Sequence, residues 1–86
     1  MTRKHFERIA EDIRNKSVKV YNMECSYDEK WFALLILEDL VNDLLNTFSE
    51  FNNNFDAYKF IKASGIINIK LELERSRATE IASGVL

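Results

Sequence analysis

The sequence predicts a mainly α domain: a small unit of three helices with a long central helix, followed by a C-terminal segment that reads as a strand or a helix. Three observations point there. The chain has no proline and two glycines, Gly65 and Gly84, so it lacks the residues that turn many short strands. Apolar residues recur at helical spacing through Phe6, Ile9, Ala10 and Ile13, and again from Leu34 to Phe51. Helix-capping residues stand at the ends of both runs. An α+β fold with a two-stranded ribbon is the alternative, should the last segment pair as a strand.

Thr2 is a competent N-cap, and the first helix runs from Thr2 to about Arg14 on one narrow apolar stripe. Residues 15–25, NKSVKVYNMEC, show no helical period; Val18 and Val20 alternate with Lys19 and Tyr21, which suits a linker or a short edge strand. Ser26 and Glu29 stand in a capping-box relation and open the main helix over 27–51, with Asp28 and Glu29 on the favoured end of its dipole. Asn52-Asn53-Asn54 ends it, and Asn54 caps a short third helix through Phe55, Tyr58 and Ile61. Gly65 stops that helix as the residue after its last turn.

The tail, 66–86, is ambiguous. Ile67, Ile69, Leu71 and Leu73 alternate with Asn68, Lys70, Glu72 and Glu74, which is a strand pattern, yet Leu, Glu, Lys and Arg are good helix formers. The alternation favours a strand at 67–73, followed by a short helix from Arg75 to Ser83. The whole chain, 1–86, is then one domain, with a helical core at 1–65 and a tail suited to association.

On a helical wheel, Leu34, Leu37, Leu40, Val41, Leu44, Leu45, Phe48 and Phe51 share one arc of the central helix. Trp31, Phe32, Leu35 and Ile36 project from the otherwise polar side. Burying a large apolar side chain is worth ~1.5–3 kcal/mol, so four left bare together need a cover. Either the tail supplies it or another chain does. These four residues are the candidate partner-binding surface, because aromatic residues concentrate at the centres of interfaces.

Composition narrows the function further. Residues 1–20 hold six cations against three anions, a balance of +3, and residues 26–51 hold one cation against six anions, a balance of −5. A basic first helix beside an acidic second one accounts for this, and no aromatic or Gly-rich pattern accompanies the basic arm to suggest nucleic acid. Cys25 is the one cysteine and reads as a reduced, cytoplasmic thiol. No apolar run approaches the ~20 residues that span a bilayer, so no membrane segment is expected. His5 reads as a solvated histidine, and Glu38, Asp39 and Asp43 as a solvated acidic face. No nucleophile, base or ligand spacing emerges, so the expectation is no enzyme, no cofactor and no metal site.

Two stretches carry a resemblance. MTRKHFERIAEDIR and FNNNFDAYKFIKASG resemble the two ends of very small proteins encoded by phages and in bacterial genomes. Those share a Met-Thr-Arg-Lys start, an Ile-Ala pair and an Asn-x-x-Phe-Asp-x-x-x-Phe-x-x-Ala ending. Thr2, Arg3, Lys4, Ile9, Ala10, Asn52, Phe55, Asp56, Phe60 and Ala63 are the matching residues here. The resemblance implies a phage origin and action inside a host cell, and it brings no activity with it.

The expected function is therefore a small accessory protein that binds a host or viral protein through an apolar helix surface. An oligomerisation accessory without a host target is the alternative; an acidic nucleic-acid mimic or an enzyme is a weaker one. A homodimer is also expected, with two tails paired antiparallel about Leu71. That register sets Ile69 against Leu73 and Lys70 against Glu72, a self-complementary ladder in which Ile67 extends the apolar face.

Overall fold

A computed structural model describes residues 2–84 as four helices, with side chains placed through Thr79. They are α1 (Arg3–Tyr21), α2 (Tyr27–Phe51), α3 (Ala57–Ser64) and α4 (Ile66–Gly84). The fold is mainly α, and among the described residues there is no strand.

The first helix continues seven residues past Arg14, so 15–21 is helix rather than a linker or an edge strand, and 22–25 alone keeps the connecting role. Ser17 explains the difference. It is fully buried, and its hydroxyl donates to the carbonyls of Ile13 at 2.8 Å and Arg14 at 3.1 Å. A serine that satisfies itself on its own helix can occupy the apolar stripe, and Ala10, Ile13 and Ser17 form one continuous buried line. Read as a polar break, the same serine hides the helix. Tyr21 then closes α1 by a 2.9 Å hydroxyl contact with Ser76 of α4.

Ser26 caps α2 as its sequence requires: its hydroxyl accepts from the Glu29 N–H at 3.1 Å, and the Glu29 carboxylate accepts from the Ser26 N–H at 3.3 Å. The helix then reverses direction relative to α1, so that Phe6 meets Phe48 at one end and Tyr21 meets Lys30 at the other. Asn52 ends α2, and its side-chain oxygen accepts from the Asn54 N–H at 3.0 Å. With Asn54 engaged in that turn, the cap of α3 falls to Asp56, whose carboxylate accepts from the Lys59 N–H at 3.0 Å. That moves the expected cap by two residues.

Phe6, Phe48, Phe55 and Phe60 gather where α1, α2 and α3 meet, with ring centroids 4.8–5.7 Å apart. Tilted and edge-on rings suit the aromatic quadrupole. Ala10, Ile13 and Val41 continue this core toward the middle of the molecule.

Gly65 makes the next corner alone. Its φ of 67° is left-handed, its N–H donates to the Lys62 carbonyl, and its own carbonyl accepts from Ile69 to begin α4. The tail is thus a helix, and the strand expected at 67–73, on which the paired-tail ladder depends, is absent. A strand there would leave backbone groups unpaired within the chain, whereas a helix satisfies them internally. Read at helical spacing, Ile66 and Leu73 are buried and Ile69, Lys70 and Ser76 are half-buried. Ile69 and Leu73 therefore face inward, while Leu71 and Glu72 are exposed.

The helix α4 packs on both α1 and α2, antiparallel to the latter, and the molecule measures 54 × 20 × 18 Å. An alanine at position 65 would have to hold the left-handed geometry, and its Cβ would lie 3.2 Å from Arg14 Cγ. Gly65→Ala is expected to lower stability by about 1–2 kcal/mol in urea unfolding. An unchanged midpoint would contradict the single-residue corner.

Candidate functional site

Residues 31–37 make α2 apolar on every side just after its charged first turn, and α4 covers one of those sides with cations. Lys70 donates to both carboxylate oxygens of Glu38, at 3.2 and 3.0 Å, and its ammonium lies 5.0 Å from the Trp31 ring centroid. One helical span later, Arg77 lies 4.3 Å from the Tyr27 ring and 3.5 Å from Asp28. Tyr27 and Trp31 stack on each other at 6.0 Å. The result is a short ladder in which two aromatic rings of α2 each meet a cation of α4. Each cation–π contact contributes about 0.5–1 kcal/mol, and more where water is excluded.

This ladder divides the four residues expected to bind a partner. Trp31 is half-buried beneath Lys70, and Leu35 is half-buried as well. Phe32 and Ile36 remain 67% and 70% exposed. Leu40 belongs with them. The wheel puts it on the inner arc together with Phe51, but both are exposed, because the buried line of α2 is the narrower one through Leu34, Val41 and Phe48. Phe32, Ile36 and Leu40 thus form a row at successive i, i+4 positions on the outward side.

The contacts of Lys70 and Arg77 also fix the register of α4. Ile67 and Leu71, both exposed, stand level with the part of α2 that carries Phe32, Ile36 and Leu40. The dimer-strand candidates therefore separate: Ile67 and Leu71 are exposed on α4, Lys70 builds the ladder, Ile69 and Leu73 enter the interior, and Glu72 pairs with Arg75 at 3.0 Å. Reading 66–77 at helical rather than alternating period would have found this division.

Acidic side chains run beside the apolar row. Asp39 and Asp43 are exposed and follow Leu35 at i, i+4 spacing, and Glu29 and Glu50 are exposed on the same helix. Among the described residues Asp39, Asp43, Glu50 and, on α4, Glu74 have no ion pair. Glu38 differs, being half-buried and bound to Lys70, so it is not part of a solvated acidic face. No group of three potential metal ligands converges among the described residues.

At the other end, a cleft of about 520 Å³ opens between α1 and α3, lined by Phe6, Ala10, Phe55, Phe60 and Ala63 with Arg3, Glu7, Asp56 and Lys59. Most of the residues that carry the phage resemblance lie here, and they have structural work: Asp56 caps α3, Asn52 forms the turn, and the phenylalanines pack. Arg3 is bound to Glu7 at 3.0 Å, and the Asp56 carboxylate is occupied as the cap of α3. His5, too, is occupied: its Nδ1 accepts from the Thr2 N–H at 3.0 Å and tightens the start of α1. Cys25 sits half-buried in the α1–α2 turn.

No family model matches the chain, nor does any curated protein or any solved structure. No described helix is long and apolar enough to cross a membrane.

The ladder separates neighbouring aromatic residues by role. Trp31→Ala is expected to cost about 2 kcal/mol, less than the ~3–5 kcal/mol of a fully buried ring. Phe32→Ala should stay within about 0.5 kcal/mol of wild type. Chemical denaturation of the two variants checks this, and equal losses would place both rings in the core.

Proposed function

We propose that this protein acts by binding another protein through the outward face of α2 and α4 and performs no chemistry of its own. One observation carries the reading: Phe32 and Ile36 lie bare in mid-helix, continued by Leu40, while Ile67 and Leu71 of α4 are exposed at the same level of the molecule. A small core can ill spare such residues, since each would contribute ~1.5–3 kcal/mol if buried. Contiguous exposed apolar surface of this kind marks association sites. The resemblance to small phage-encoded proteins suits a setting inside a host cell, where the bound protein would be a host target whose activity is modulated. No nucleic acid, membrane or cofactor is required by this reading.

Self-association is the second reading. The row Phe32, Ile36, Leu40 is apolar throughout, so two copies of α2 crossing antiparallel at Ile36 would match apolar residues on both sides of a two-fold axis.

Phe32→Ser combined with Ile36→Ser tests both. Affinity capture from a bacterial lysate should recover one protein at equal stoichiometry with wild type and lose it with the double variant, whose helicity and urea midpoint stay unchanged. Equal recovery by both proteins would refute the face as the binding surface. Light scattering on the same pair gives the second reading its own test: a dimer in wild type and a monomer in the variant.

A further inference from the structure

The bare face carries a charge pattern as well as an apolar one, and the two together specify an occupant. Among the described residues α2 has a single cation, Lys30, and it lies against the Tyr21 ring on the α1 side. The cations of α4 are engaged as well: Lys70 with Glu38, Arg75 with Glu72, Arg77 with Asp28. What remains beside Phe32, Ile36 and Leu40 is Asp39 and Asp43 in the adjoining row, with Glu29 and Glu50 beyond them and Glu74 across on α4. The surface is apolar along its line and negative along its margins.

We infer that this face receives a basic amphipathic helix of another protein, its apolar row lying along Phe32, Ile36 and Leu40 and its lysines or arginines meeting Asp39 and Asp43. This deepens, and rests on, the reading of the face as a protein-binding surface. Helix-in-groove recognition uses such i, i+3, i+4 and i+7 anchors, with charges setting orientation and encounter rate. Phe32, Ile36 and Leu40 lie on the side of α2 turned away from its buried line through Leu34, Val41 and Phe48, so a helix can lie along them without displacing α1 or α4.

Charge disfavours the other occupants. A second copy crossing antiparallel at Ile36 sets Asp43 opposite Glu29 of its mate, and like charges facing each other are destabilising. The copy's α1 is basic, but Val18 is its one exposed large apolar residue, so it has no row to offer. Anionic lipid surfaces and nucleic-acid phosphates meet the same negative margins.

The test uses three fluorescent helical peptides of about 18 residues, titrated against the full chain and followed by anisotropy. One has leucine on one face and lysine on the other, one has glutamate in place of lysine, and one has alanine in place of leucine. Wild type should bind the leucine–lysine peptide about tenfold or more tighter than either control. Asp39→Lys combined with Asp43→Lys, both at exposed positions, should keep its helicity and reverse the preference toward the leucine–glutamate peptide. Equal affinity for the leucine–lysine and leucine–glutamate peptides overturns the basic partner and leaves an apolar binding face standing. Equal affinity for the alanine–lysine peptide overturns the apolar row, and with it the underlying reading. No binding of the leucine–lysine peptide overturns the inference alone, since capture by wild type and its loss in the Phe32→Ser, Ile36→Ser variant test the face independently. A wild-type dimer dispersed by that variant makes a second copy the occupant instead.

Discussion

Between Ser64 and Ile66 the chain changes direction on one residue, and the rest of the arrangement follows from that turn. Gly65 ends α3 in left-handed geometry and starts α4 with its own carbonyl, so no linker separates the two helices. Ser64 beside it is fully buried, its hydroxyl donating to the Ile61 carbonyl at 2.7 Å. The corner packs on α1 near Arg14, which directs α4 back along α2. Ile66 and Leu73 reach the interior only because of that direction. So does Lys70, which would otherwise have no reason to lie over an indole.

The apolar opening of α2 is thereby explained in three parts. Leu34 is fully buried in the interior of the bundle. Tyr27 and Trp31 are covered by side chains that are charged at the tip and apolar along the stem, which shields a ring while keeping the charge hydrated or paired. Phe32, Ile36 and Leu40 are left exposed among the described residues. A domain this small gains only a few kcal/mol from its core, and three large side chains left outside are a sizeable fraction of that. On the proposed reading, occupation of that face adds to the stability of the fold by mass action.

Much of this was legible in the residues. The capping box at Ser26 and Glu29, the asparagine stop after Phe51 and the glycine at 65 each fix a boundary through local chemistry, and α2 spans the residues those signals predict. Where two periods coexist, local chemistry fails. Ile67, Ile69, Leu71 and Leu73 alternate, but Ile66, Ile69 and Leu73 also fit a helix, and the choice depends on backbone groups finding partners, which spacing does not record. Ser17 misled for a similar reason, since its polarity is cancelled by hydrogen bonds within its own helix. The proposed face was half legible: Phe32 and Ile36 stand out as breaks in amphipathicity, whereas the exposure of Leu40 follows from the narrow buried line of α2, and that of Ile67 and Leu71 from the helical tail.

Neighbouring positions in the tail offer the most direct measurement. In a Cys25→Ser background, Leu71→Cys and Leu73→Cys can be labelled with a thiol reagent and their rates compared. The helical tail gives opposite environments to these two residues, Leu71 45% exposed and Leu73 4%. Rapid labelling at 71 and strong protection at 73 are therefore expected. Equal rates would contradict the account, because two residues apart share a face in a strand and not in a helix.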